Sequence, residues 1–382
     1  MHIVAEPLEE VESLASVEIP LYVLRVALLW WVWHSAMMWS NLANLLFEGS
    51  DLRAWHHAIM FATMAGIVLF AEASKRGDDS LGLLFYLGAR TVLLLAWKAE
   101  SYHPKPPEMA IDVYQQLMAV ARIAPIGFLI EGVPLSMAAW LLRDGRTVAG
   151  LGWWAAMPVI MVIMRSITAL KPPARNVFSA GQMGERYELI MLIVIGEIVF
   201  AAAVPGPYIN SLLSCITACL CFLLYFKARP ALRAETWRSG FGFLHAPHVH
   251  LVLLMALPGI GAGFARVAHE LGHAASQGEE THGGDAAVCT SVALLLLSTA
   301  TFLCFSALAA AMSPDKFACR LPVTVRMLPR LASGIAAATF ALFGGCSAFA
   351  GEVTAMLCLA LPLPFEFWAL QPFEPAIKPV LV

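Results

Sequence analysis

Eleven apolar runs, each close to the length of a bilayer-crossing helix, recur from residue 19 to residue 370, and no other feature restricts the fold as much. A helix needs about 17 to 25 apolar residues to cross the roughly 30 Å hydrocarbon layer. Inside lipid every backbone polar group must find a partner within the protein, which leaves helices or closed barrels. Barrel strands alternate apolar and polar residues over about ten positions, whereas these runs are apolar throughout. The expected spans are 19–40, 56–73, 81–98, 120–142, 148–170, 187–204, 208–227, 249–268, 287–313, 328–344 and 346–369. The chain is 59% hydrophobic and 13% charged, against a charged share of about one quarter in soluble domains. The expected fold is an all-α, polytopic transmembrane helical bundle. It comprises an acidic N-terminal tail (1–18), a single multi-span membrane domain (19–370) and a C-terminal tail (371–382). The tail before the first span has no basic n-region and no small-residue cleavage site, so that span is expected to be retained.

The basic residues orient the bundle, because cytoplasmic loops carry the Lys and Arg excess. With the C-terminus cytoplasmic and the N-terminus outside, the inner loops hold Arg53, Lys98, Lys105, Lys171, Arg175, Arg186, Lys227, Arg229, Arg233, Arg238, Lys316, Arg320, Arg326, Arg330 and Lys378. The outer side holds only Lys75, Arg76, Arg143 and Arg146. This asymmetry implies a cell-membrane protein whose partner is the lipid bilayer. The net charge of −3 and the scattering of basic residues through short loops argue against nucleic acid. Five of the eight cysteines (Cys215, Cys219, Cys221, Cys304 and Cys358) fall in spans, where a thiol packs as a small apolar group, so cysteine says little about compartment. Pro125, Pro134, Pro158, Pro258 and the run GIGAG at 259–263 predict kinks or close helix contacts.

The segment GERYELIMLIVIGEIV, residues 184–199, enters the membrane with three charges and meets a fourth, Glu197, near mid-span. Burial there costs a few kcal/mol unless the carboxylate is paired, protonated or wetted. Arg186 and Glu197, eleven residues apart, share a helix face, and Gly196 is expected to admit a neighbouring helix beside the carboxylate. At about 1.5 Å of rise per residue the two charges lie roughly 16 Å apart, too far to pair. Candidate partners for Glu197 are the in-span arginines Arg25, Arg90, Arg122 and Arg165, while Glu131 and Glu352 are further acids within spans. The alternatives are an ion-paired network that locks helices together and a polar path for an ion, proton or small solute.

The same run resembles the charged helix of the bacterial low-temperature-requirement A family. LLWWVWHSAMMW at 28–39 is similar to that family's tryptophan-rich early helix, and LGARTVLLL, with Arg90, to its arginine-bearing one. LLYF at 223–226 and HAPHVHLVLLMALPGIGAG at 245–263 continue the order, followed by three apolar spans. The family usually begins with an ELFFDLVFVF-like helix that has no counterpart here, and loss of one leading span would place the N-terminus outside, as the charge asymmetry does. The resemblance implies an architecture more than a mechanism.

HELGH at 269–273 fits the HExxH pattern, in which two histidines at i and i+4 bind zinc and the glutamate serves as general base. A third ligand is hard to find. No later span carries the Asp-Gly of intramembrane zinc proteases, and Ser276 and Glu279 stand where a metzincin needs glycine and histidine. His282, Glu279, Glu280 and Asp285 are near enough in sequence to close a site. The expectation is therefore a solvated helix end, with an outward-facing zinc metalloprotease built on His269, Glu270 and His273 as the alternative. His245, His248 and His250 are expected to be interfacial polar groups at the other end of the same span.

The expected function is a transporter- or channel-like conduit for an ion or small solute, without enzymatic activity or cofactor. Glu197 would form its polar site with an arginine such as Arg90 or Arg122, Glu131 would add a further buried acid, and Glu185 and Arg186 would stand at the inner mouth. A non-catalytic scaffold is the remaining alternative.

Overall fold

The structure, a computed structural model, describes residues 8–46, 51–102, 104–106, 109–169, 180–201, 207–227, 240–277, 282–311, 323–343 and 347–364. Among these residues the regular structure is helical throughout. The helices are α1 (Leu8–Leu46), α2 (Asp51–Lys75), α3 (Asp79–Glu100), α4 (Ile111–Arg143), α5 (Thr147–Ala169), α6 (Ala180–Ala201), α7 (Tyr208–Lys227), α8 (Gly240–Gln277), α9 (His282–Ala311), α10 (Val323–Phe343) and α11 (Ala348–Ala360). Each coincides with one of the apolar runs. Seven of them, α1 to α4 and α7 to α9, are long and apolar enough to cross a membrane, while α5, α10 and α11 contain shorter apolar stretches. The charges of α6 set it apart: Glu185, Arg186, Glu188 and Glu197 all lie within its 22 residues.

The chain divides into two compact units, residues 1–179 and 180–382. In the first, α2 to α5 pack in sequence, each against the next, and α1 packs on α2, α3 and α5. Two hairpins between antiparallel helices turn on glycines that only a residue without Cβ adopts easily: Gly77 at φ 78° and Gly145 at φ 76°. Asp78 then starts α3 by accepting from the Leu81 N–H at 3.0 Å. The tryptophans of α1 serve this core. Trp30, Trp31 and Trp39 are buried, Trp30 stacks on Trp33 with centroids 5.0 Å apart, and Trp39 lies 4.6 Å from His56. α1 begins at Leu8, so part of the acidic tail continues the first span as helix.

In the second unit α8 packs on α6 and α9, α9 on α10 and α11, and α7 on α6 and α11. The GIGAG run makes these approaches close. Gly259 and Gly263, one turn apart, face Ser298 and Leu295 of α9, while Gly261 on the other side lies against the backbone of Glu197 and Ile198 in α6. Large apolar side chains on many helices stay exposed, among them Phe61, Val68, Leu95 and Leu342. In water such a surface would aggregate; in a bilayer it meets acyl chains.

The structure also revises the reading of cysteine and of one loop arginine. Cys289, near the start of α9, is disulfide-bonded, its partner lying outside the described residues. Arg330, assigned above to an inner loop, is fully buried in α10. Its guanidinium donates to the carbonyl of Ser306 at 2.9 Å and to that of Leu224 at 3.2 Å. Leu224 lies in the last turn of α7, where carbonyls lack helical partners, so this arginine ties three helices together.

Candidate functional site

Two buried charges of the first unit, Arg90 and Glu131, are paired with one another. Arg90, halfway along α3, and Glu131, on α4, are 7% and 1% exposed. The Arg90 Nε donates to Glu131 Oε1 at 2.9 Å and its Nη2 to Oε2, a bidentate fork. Tyr86, one turn before Arg90 on α3, adds its hydroxyl to Oε1 at 2.6 Å. Sequence reading placed Arg90 and Glu131 among the site residues but did not single out Tyr86, although its i, i+4 spacing from Arg90 is the available signal. Three donors therefore answer one buried carboxylate, and the cluster clamps α3 to α4. Arg25 is likewise engaged: its guanidinium holds Asp79, at the start of α3, through contacts of 2.7 to 2.9 Å. Arg122 is exposed on α4, and the side chain of Arg165 lies outside the described residues.

In the second unit, three of the quoted runs converge. Tyr187 of α6 is fully buried and meets the ring of His250 on α8 edge-on, centroids 4.8 Å apart. The His250 Nδ1 lies 2.6 Å from the Ala246 carbonyl, which can only accept. Nδ1 therefore carries the proton, Nε2 is an acceptor, and the Tyr225 hydroxyl donates to it at 3.1 Å. His250, expected as an interfacial polar group, is a buried ring joining α6, α7 and α8.

Glu197 differs from these groups. It is exposed on α6, and no described residue makes a hydrogen bond or ion pair with it. A Cβ added to Gly196 would meet no described atom within 4 Å, so no described helix packs there. The close approach comes instead from Gly261, two residues beyond Gly259 on α8. Helical phase places Glu197 with Ile193 and Phe200, both exposed, and with half-buried Arg186. Glu185 is exposed near the start of the same helix.

A third arrangement joins α7 to α11. Asn210, 4% exposed, donates its Nδ2 to Oε1 of fully buried Glu352 at 2.8 Å. The other carboxyl oxygen, Oε2, has no hydrogen-bond partner among the described residues.

HELGH lies inside α8, which continues to Gln277, so His269 and His273 are one helical turn apart. His269 is exposed; the side chains of Glu270, His273, His282 and Asp285 lie outside the described residues. Among the described residues no group of three or more His, Cys, Asp or Glu side chains is placed to hold a metal.

Searches of curated proteins and of solved structures found no match to the chain. The model of the family described as bacterial low temperature requirement A protein (LtrA) matches residues 2–363. That match takes in all the described helices, and the runs it spans include those that meet around His250 and Arg90. The chain is a multi-pass membrane protein belonging to the LtrA family.

Proposed function

We propose that this protein provides a polar path through the cell membrane for an ion or small solute, with Glu197 facing the path and Glu185 and Arg186 near its inner mouth. The observation that carries the reading is Glu197 itself, exposed four residues before the end of the otherwise apolar second half of α6, without an ion pair or hydrogen bond to a described residue. Ionisable groups within spans almost always face a bundle interior or a water-filled cavity, because bare exposure to lipid is costly. A scaffold held by internal ion pairs would have its buried charges mutually satisfied. The Arg90–Glu131–Tyr86 cluster fits that description, whereas Glu197 stands exposed and outside any such network of described residues. The disulfide at Cys289 agrees with the outward placement of the start of α9 that the basic residues indicate, since such bonds persist in oxidising compartments.

Accessibility tests this reading directly. In a background lacking other reactive thiols, E197C is expected to be labelled by a membrane-impermeant charged thiol reagent, and I193C, on the same face, several-fold more slowly. E197Q should abolish the growth or uptake phenotype of the wild-type protein while leaving it folded. Equal, negligible labelling at both positions, with E197Q fully active, would remove the polar path.

The reading is non-enzymatic. Purified protein is expected to hold well under one zinc per chain, unchanged by H269A/H273A; stoichiometric zinc lost in that double variant would turn the assignment towards a hydrolase at HELGH.

A further inference from the structure

Glu352 and Glu131 are two equally buried carboxyl groups with opposite surroundings. Glu131 receives a guanidinium fork and a phenol, and its charge is cancelled. Glu352 receives a single neutral donor. Its helix is set by Ser347, whose hydroxyl caps Ala350 N–H at 3.4 Å, and Gly351 beside it lies against Val292 of α9. The carboxyl is thereby fixed where α7, α9 and α11 meet.

No described cation stands near enough to compensate a charge there. On α10 the arginine whose side chain is described is Arg330, held by Ser306 and Leu224; the side chain of Arg326 lies outside the described residues. Leu224 is fourteen residues along α7 from Asn210, about 21 Å at the helical rise. On α9 the nearest titratable type is Cys289, and it is committed to a disulfide. On α7, Tyr208 is 95% exposed, and on α11 Cys358 lies nearly two turns further along. Burying an uncompensated carboxylate is expensive, and such a group takes up a proton instead.

We propose that Glu352 is a proton-binding site, with the proton on Oε2 and Asn210 holding Oε1. An alkali cation fits less well, because Asn210 turns its amide nitrogen towards the carboxyl and so presents a positive end. The site goes beyond the polar path at Glu197: it stands on separate helices of the same unit, and its test measures protonation without transport. If the path carries solute, a proton taken up at Glu352 is a means of coupling.

Infrared spectroscopy of the full-length protein in lipid nanodiscs reads the proton directly, since the carbonyl stretch of a carboxylic acid is resolved from the amide bands. At neutral pH the wild type is expected to show an acid band that E352Q lacks and E197Q retains. Gln is isosteric with the protonated acid and accepts the same Asn210 bond, so E352Q should fold normally. N210A provides an independent reading. An N–H donor favours the charged form, so its loss should carry the acid band to more alkaline pH by about one unit. A wild-type spectrum without the band, a band untouched by E352Q, a band displaced by sodium at constant pH, or an unshifted titration in N210A would each overturn the site.

Discussion

Replacing Arg90 with alanine is expected to cost about 3–5 kcal/mol of stability, the range for breaking a buried ion pair by removing one partner. The reason lies in what remains. Glu131 is 1% exposed and would keep only the Tyr86 hydroxyl, a single neutral donor for a charge at mid-depth between α3 and α4. R90K should lose part of that amount, because an ammonium is a point charge and cannot reproduce the fork. The triple replacement Y86F/R90M/E131L should recover most of the loss, since apolar groups of similar volume leave neither a buried charge nor the Tyr86 hydroxyl unpaired. Denaturant titration of the four proteins in detergent micelles measures the coupling. If R90A fell within about 0.5 kcal/mol of the wild type, as an ordinary surface substitution does, the pair would not be the clamp its geometry describes.

Membrane chemistry makes helices unusually legible. The apolar runs correspond one to one with α1 through α11, seven of which are long and apolar enough to cross a membrane, because an apolar segment that satisfies its own backbone is a helix. Partnership was much less legible. Arg90 and Glu131 are 41 residues apart, and only the α3–α4 packing sets them face to face; from spacing alone Arg90 was as reasonable a partner for Glu197. Asn210 and Glu352 are separated by 142 residues, and an asparagine close to a helix start reads as a cap or turn residue. His250 shows the same gap: a run of histidines at a membrane boundary suggests interfacial groups, and the rings of Tyr187 and Tyr225 that enclose it come from two other helices. Arg330 was counted with a loop because it lies only a few residues after other basic residues, yet α10 carries it into the core. Periodicity and length report each helix against the bilayer, whereas pairing depends on which faces meet, and that information is spread over the whole chain.

The glycines, by contrast, were partly legible, and they support the second large prediction: G263L is expected to destabilise the 180–382 unit by about 3 kcal/mol, the upper part of the usual range for overpacking. A Cβ at position 263 would fall 2.7 Å from the Leu295 Cβ and 2.8 Å from its Cα. The obstacle is backbone and the stem of a side chain, so α8 and α9 must move apart, which also opens the contacts at Gly259 and Ser298. Even G263A should be destabilising, because the clash outweighs the roughly 1 kcal/mol that alanine gains over glycine in a helix. At Gly259 the nearest group is the Ser298 hydroxyl, the end of a side chain that can rotate, so G259A should cost less. At Gly196 an added Cβ meets nothing within 4 Å, and G196A should be neutral or stabilising by up to about 1 kcal/mol. Thermal unfolding of the three alanine variants in one detergent should therefore rank them 196, 259, 263 in falling stability. A G263A protein as stable as G196A would mean that α8 and α9 do not approach at this point, because helical propensity treats the two substitutions alike and only the neighbouring helix distinguishes them.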